Sequence, residues 1–193
     1  KQIATHRDQL RETAVKMTRR IRRGGRWFVR AEEHKGLASE MEHVASGPMI
    51  VNWGDWSAKP KDNVLLVSTI TPANSKETNA ARKARSEGGL VVGIGPKTLD
   101  GKTPRDGLFS HCHTALENFS PESHGVIRIP GRPKPICPTT GLITNVIQQM
   151  LCAQWVDEMV RRGSVPYFFQ GGYQQGGSEY NAAMKIHFER QGF

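Results

Sequence analysis

The chain has 193 residues, enough for one domain with a sizeable core, and its 27 Lys and Arg against 18 Asp and Glu give a formal net charge of +9. Its three cysteines, Cys112, Cys137 and Cys152, are odd in number and lack metal-ligand spacing, which implies no disulfide framework and predicts reduced thiols in a cytosolic setting. No apolar run approaches the ~20 residues of a membrane span and no signal peptide is visible, so a cytoplasmic location is expected, with the true N-terminus left open because the sequence begins at Lys1 without a methionine. The basic residues are densest in KMTRRIRRGGR, Lys16 to Arg26, where they suit the negative end of a helix dipole. A nucleic-acid patch would need aromatic interleaving or a groove-reading pattern, and neither accompanies them; a small anionic ligand accounts for the charge equally well.

In chain order, Ile3, Leu10, Ala14, Met17 and Ile21 form one stripe at helical spacing, and Gly24 and Gly25 stop that helix. Trp27 to Val29 reads as a first strand, Arg30 to Lys35 as a loop, and Gly36 to Ala45 as a helix with Leu37, Met41 and Val44 on one side. Met49 to Val51 reads as a second strand. Asn52 to Lys59 is a connection whose Trp53 and Trp56 either meet a partner or pack over the sheet edge. Asn63 to Val67 is continuously apolar, as in a strand buried on both faces. The hydroxyl-rich loop holding Ser68, Thr69, Thr71, Asn74 and Ser75 leads into a helix with Ala80, Ala81 and Ala84 on one side. Gly88 and Gly89 end it before a strand from Leu90 to Ile94, making a right-handed crossover.

Lys97 to Gly107 reads as loop. His111, Cys112, His113 and His124 invite a metal reading, but no further Cys, Asp or Glu completes a familiar spacing, and no metal site is expected. Val126 to Ile129 is predicted as the last sheet strand, and four prolines exclude helix or central strand from Pro130 to Pro138. Thr139 and Thr140 open the longest helical pattern, Gly141 to Arg162. Its apolar face is wider than one sheet contact needs, so either part of it meets another subunit or all of it is core. Val165 to Phe169 is extended, Gly171 to Gly177 is a flexible loop, and a final helix runs from Ser178 to about Arg190.

The loop from Ser68 to Ser75 sits at the carboxyl end of a strand and the amino end of a helix. Unpartnered N–H groups and the helix dipole favour an anion there, unless Asn74 or Ser75 caps the helix and takes those donors itself. Five strands alternating with helices predict an α/β fold: a three-layer, doubly wound, mainly parallel sheet with helices on both faces. In the flavodoxin-like strand order, the reversal falls between the strand ending near Arg30 and the one ending at Ser68, so their two loops face one crevice.

Four pieces of the chain resemble the SIS (sugar isomerase) domain family, in particular its single-domain phosphosugar-binding members. They are RRIRRGGRWFV, KDNVLLVST with ARKARSEGGLVVGIG, PTTGLITNVIQQMLCAQWVDEMVRRG, and VPYFFQGGYQQGGSEYN with Gly176, Gly177, Glu179 and Asn181 at matching positions. The chain departs from the family pattern at Arg30 to Lys35, which replaces a glycine-rich turn with a serine, and at Ile70 and Thr71, which replace a serine and glycine. The resemblance implies one SIS-type domain over residues 1–193: N-terminal helix 1–23, sheet core 26–130, long helix 139–162 and C-terminal segment 165–193.

It also implies a phosphorylated sugar or related anionic metabolite as ligand, contacted by His34, Ser68, Thr69, Thr71, Asn74, Ser75, Thr139, Thr140 and Asn181. Aldose to ketose isomerisation would follow, with Glu40 or Glu179 moving the proton and no cofactor or metal. The alternative is a non-catalytic phosphosugar-binding module or oligomeric scaffold. A homodimer or tetramer through residues 139–162 is expected, with no membrane or nucleic-acid partner.

Overall fold

The computed structural model describes residues 2–41, 47–120 and 125–193. Four parallel strands, β1 (Trp27–Arg30), β2 (Val64–Ser68), β3 (Leu90–Gly95) and β4 (Thr114–Glu117), pair in that order. Helices α1 (Arg7–Ile21) and α4 (Thr140–Arg161) cover one face, α3 (Ser75–Ser86) covers the other, and α2 (Lys35–Ser39) packs on α4. The last helix is α5 (Gly177–Gln191). No helix among the described residues is long and apolar enough to cross a membrane.

Alternation along the central strands divides the core. Val64, Leu66, Leu90, Val92 and Ile94 meet Leu10, Ala14, Met17 and Ile21 of α1 and Ile147, Leu151 and Trp155 of α4. Leu65, Val67 and Val91 meet Ala81 and Ala84 of α3. Both faces are buried, which is why these strands read as unbroken apolar runs. Trp27 and Trp155 close the first core edge-to-face, with ring centroids 5.4 Å apart.

Met49 to Val51 lies beside β1 in the place a second strand requires, giving the flavodoxin-like order, but only Val51 bridges, to Trp27. Asn52 ends the pairing: it adopts a left-handed φ of 53°, and its side chain accepts from the Val29 N–H at 2.9 Å, taking a bond the next strand residue would have made. On the other side Met49 donates to the Tyr167 carbonyl and Phe169 to the Gly47 carbonyl. The expected five-stranded sheet is therefore four strands plus this bridge.

Val126 to Ile129 is not the last sheet strand. β5 (Gly125–Ile127) pairs antiparallel with β6 (Ile136–Pro138) in a separate ribbon, with Val126 55% and Ile127 48% exposed. The edge position belongs to β4, whose outward carbonyls are capped from α1 and the residue before it: His6 bonds to the Glu117 carbonyl at 2.8 Å and Gln9 donates to that of Ala115 at 3.0 Å. Side chains from a helix thus blunt an edge that would otherwise invite another strand. The helix expected from Gly36 is shorter than its pattern. It ends at Ser39, while its Leu37 and Met41 are buried as the stripe requires; Val44 and Ala45, like His124, fall outside the described residues.

The connection from residue 52 to 63 crosses over β1 on the α3 face and holds only a 3-10 turn, Trp56–Ala58. A doubly wound sheet ordinarily carries a helix there. Its absence leaves a cavity of about 600 Å³ lined by Phe28, Leu65, Trp56, Ala80 and Ala84 and rimmed by Arg30, Glu32, Lys83 and Glu87. Trp56 packs edge-on to Phe28 at 5.3 Å and Trp53 to Phe188 at 5.4 Å, so of the two readings for these tryptophans, packing within the chain is the one observed.

Candidate functional site

The loops after β1 and β2 meet at the carboxyl end of the sheet, where the strand order reverses. Asn74 begins α3 by accepting from the Lys76 and Glu77 N–H groups at 2.8 and 3.1 Å, so the helix is capped by its own side chain. Ser75, the first helical residue, is exposed. The remaining donors of the loop converge on Glu33. Its carboxylate accepts from the Ile70 N–H at 2.7 Å, the Asn74 amide at 2.6 Å and the Thr69 hydroxyl at 3.0 Å.

The predicted anion cradle therefore holds an anion supplied by the chain itself. Burial pushes the Glu33 pKa upward, but hydrogen bonds from Ile70, Asn74, Thr69 and Thr71 outweigh it and hold the carboxyl below its ordinary range. Thr69 is fully buried; the one proton on its Oγ1 is within reach of both Glu33 and the Thr71 carbonyl, and the oxygen accepts from the Thr71 N–H. Asn74→Ala removes both the cap and a Glu33 donor. It should destabilise the chain by about 1–2 kcal/mol, read by chemical denaturation.

Next to this network His34 Nδ1 and Ser68 Oγ share a hydrogen bond of 2.7 Å, with Ser68 fully buried at the end of β2. His34 also faces α4: a β-carbon at Gly141 would lie 3.8 Å from its Cδ2. Gln148 of α4 donates to the Leu37 carbonyl at 2.9 Å, fixing α2 against that helix. Glu33, His34, Gly36, Glu40, Gly141 and Asn145 line one cavity of about 410 Å³ between the first loop, α2 and the start of α4.

No side chain caps α4 at Thr139, and the Oγ1 of Thr140, a residue only 2% exposed, has no hydrogen-bond partner among the described residues. The cavity thus joins a histidine, two carboxylates and the start of a helix that no side chain caps.

Of the candidates read from sequence, Thr69, Thr71 and Asn74 are joined through Glu33, His34 and Ser68 form a bonded pair beside them, and Glu40 opens on the same cavity as His34. Thr139 and Thr140 stand at the end of the helix that walls it. Glu179 and Asn181 do not join them. Glu179 is exposed in the first turn of α5, and Asn181 is occupied on both sides by Gln170, accepting from its N–H at 2.7 Å and donating to its carbonyl at 2.9 Å. Asn181 ties α5 to the preceding segment.

Among the described residues no group of three or more His, Cys, Asp or Glu is placed to hold a metal ion. His111 bonds to Asp106, and His113 accepts from the Val91 N–H. Glu33 was not among the candidates read from sequence. The one available signal was a carboxylate in a loop predicted to face a donor-rich loop.

The architecture is a doubly wound α/β fold with a crevice at its topological switch point, the place such folds bind ligands. No family model matches the chain. A UPF0309 protein of Streptomyces griseus subsp. griseus is 24% identical over 139 residues, covering 69% of this chain and 55% of that protein. A glutamine-dependent NAD(+) synthetase of Xylella fastidiosa is 27% identical over 109 residues, covering 50% of this chain and 19% of the synthetase. The chain thus spans about half, or less, of the length of these curated relatives. Among solved structures, a Silicibacter pomeroyi DSS-3 protein provisionally named a phosphosugar isomerase aligns with a TM-score of 0.50 and 14% identity, over 83% of this chain and 49% of that one. At that identity the likeness is one of fold.

Proposed function

We propose that the chain, folded as one SIS-type domain, binds a phosphorylated sugar or a related small anionic metabolite in the crevice between the first loop, α2 and the start of α4. The observation that carries this reading is the single cavity shared by Glu33, His34, Glu40 and the N-terminal turn of α4 at the sheet's switch point. The sequence resemblance and the fold likeness to a protein named for phosphosugars support the ligand class.

The chemistry available is aldose to ketose isomerisation. The Glu40 carboxylate would take the proton from the carbon beside the carbonyl and return it to the former carbonyl carbon of the enediol, while the hydroxyl proton passes from the one oxygen to the other, with no net redox change. A homodimer or tetramer through residues 139–162 belongs to the same reading, supported by the exposed apolar side of α4. A second reading, binding or scaffolding without turnover, is favoured by one observation: Glu33 already fills the donors of the β2–α3 loop.

A panel of sugar phosphates tests the ligand. At one hundred times its dissociation constant a ligand adds about 2.7 kcal/mol, roughly 5–10 °C in Tm for a chain of this size. Stabilisation by a sugar phosphate together with deuterium exchange at the carbon beside its carbonyl supports the isomerase. Stabilisation without exchange supports the second reading, and no stabilisation by any member removes both ligand readings.

A further inference from the structure

We infer that the hollow over β1 on the α3 face is a second binding site, for a small monoanion with a planar apolar body, such as a two-ring aromatic carboxylate or sulfonate. It is independent of the sugar-phosphate reading. Arg30 and Glu32 line the hollow, Glu33 and His34 line the crevice described above, and the two cavities share no lining residue.

The hollow is built from fixed parts. Its floor is Phe28 of β1 and Leu65 of β2, and α3 contributes only Ala80 and Ala84, whose small side chains leave the space open. Trp56 stands against it from the 52–63 connection. Three constraints hold its indole: Nε1 donates to the Glu87 carboxylate, the ring packs edge-on to Phe28, and it lies over Gly89, where a β-carbon would come within 2.6 Å of it. The backbone is tied as well, because the Asn63 side chain donates to the Trp56 carbonyl at 2.8 Å and accepts from the Arg26 N–H at 2.8 Å. A ligand entering between such walls has little of the protein to order.

Size and shape select a small planar molecule. The cavity of about 600 Å³ lies inside the range of roughly 300–1,000 Å³ that small-molecule sites occupy. A three-turn helix about 10 Å across and 16 Å long fills roughly 1,300 Å³, twice the space that the connection leaves. Phe28 and Trp56 already form an edge-to-face pair, and a third ring extends such a cluster.

Charge selects an anion. At the rim, Glu32 is engaged on both oxygens, by Arg30 at 2.7 Å and by Lys76 at 3.3 Å, and Glu87 is engaged by Trp56. Lys83 reaches Glu87 only at 4.0 Å, the outer limit of an ion pair. An acidic group at the rim therefore meets a cation with bonding capacity to spare, whereas a basic group meets carboxylates that are already taken.

The probe is anilinonaphthalene sulfonate, a planar apolar monoanion, titrated into the folded full chain and followed by its fluorescence, with the neutral phenylnaphthylamine as its uncharged counterpart. Wild type should show one saturable site that prefers the sulfonate. Ala80→Leu, which fills the hollow from a half-buried helical position, should weaken both probes about tenfold or more with the far-ultraviolet circular dichroism unchanged. Lys83→Gln, at an exposed position where a folding defect is not expected, should weaken the sulfonate about two- to fivefold and leave the neutral probe as it was. No saturable site, binding that survives Ala80→Leu, or a sulfonate preference that survives Lys83→Gln overturns the inference. Displacement of the probe by excess sugar phosphate also overturns it, since the probe then sits in the crevice; sugar-phosphate stabilisation unchanged in Ala80→Leu keeps the fate of that reading separate from this one.

Discussion

Glu33→Ala should do two opposite things at once: lower the stability of the chain by about 1–3 kcal/mol, and strengthen its binding of inorganic phosphate. The first effect follows because the Ile70 N–H, the Asn74 amide and the Thr69 hydroxyl lose a shared charged acceptor, and Thr69 is fully buried. The second follows because those donors surround the spot where Glu33 now competes with any incoming anion.

The pH dependence has a definite sign. The folded-state pKa of Glu33 is lowered, so its contribution is complete above the ordinary carboxylate value of about 4.3 and is lost as pH falls through the lower folded value. Wild type should therefore lose stability in an acid step that Glu33→Gln lacks. Thermal unfolding of wild type and both variants, with and without phosphate, reads all of this. Equal phosphate stabilisation of wild type and Glu33→Ala would show that the β2–α3 loop is a structural knot and no latent anion site.

The contrast between this loop and the rest of the chain shows what sequence patterns can carry. The β2–α3–β3 unit was legible because its signals are local: two continuous apolar runs, an asparagine at the helix start and a double glycine at its end. β4 was hidden because an edge strand needs only one buried face. Thr114 and Leu116 are buried and Ala115 and Glu117 are not, a four-residue alternation too short to separate from loop. Val126 to Ile129 has the stronger apolar signal yet stays exposed, since propensity fixes extended backbone without fixing its partner.

The second strand was placed correctly and failed to form fully, because Asn52 spends its side chain on the β1 backbone. The capture of Glu33 by Asn74, 41 positions away, is a tertiary event that no window of sequence contains. The same holds for the mutual bonds of Asn181 and Gln170, which turn a residue suggested by resemblance into a brace for α5.

The isomerase reading makes its sharpest demand on the two glutamates. On that reading Glu40→Gln should reduce proton exchange on the bound sugar phosphate by roughly 10²–10⁴-fold, the range a positioned general base supplies, while leaving binding near wild type. The substitution is isosteric, and Glu40 makes no ion pair among the described residues, so a structural cost is not expected. Glu179→Gln should change neither quantity: α5 begins beside Gln170, and Glu179 does not line the cavity that His34 and Glu40 share.

A reversed outcome, exchange lost with Glu179→Gln and kept with Glu40→Gln, would require Glu179 to reach the crevice from another molecule. Exchange absent from wild type removes the enzyme and leaves the binding module. Glu33 bears on that last case directly, because a ligand whose phosphate must displace an internal carboxylate gives up part of its binding energy before any proton moves. Adding Glu33→Ala to wild type therefore asks whether turnover is missing or only held back by the anion that the chain supplies to its own site.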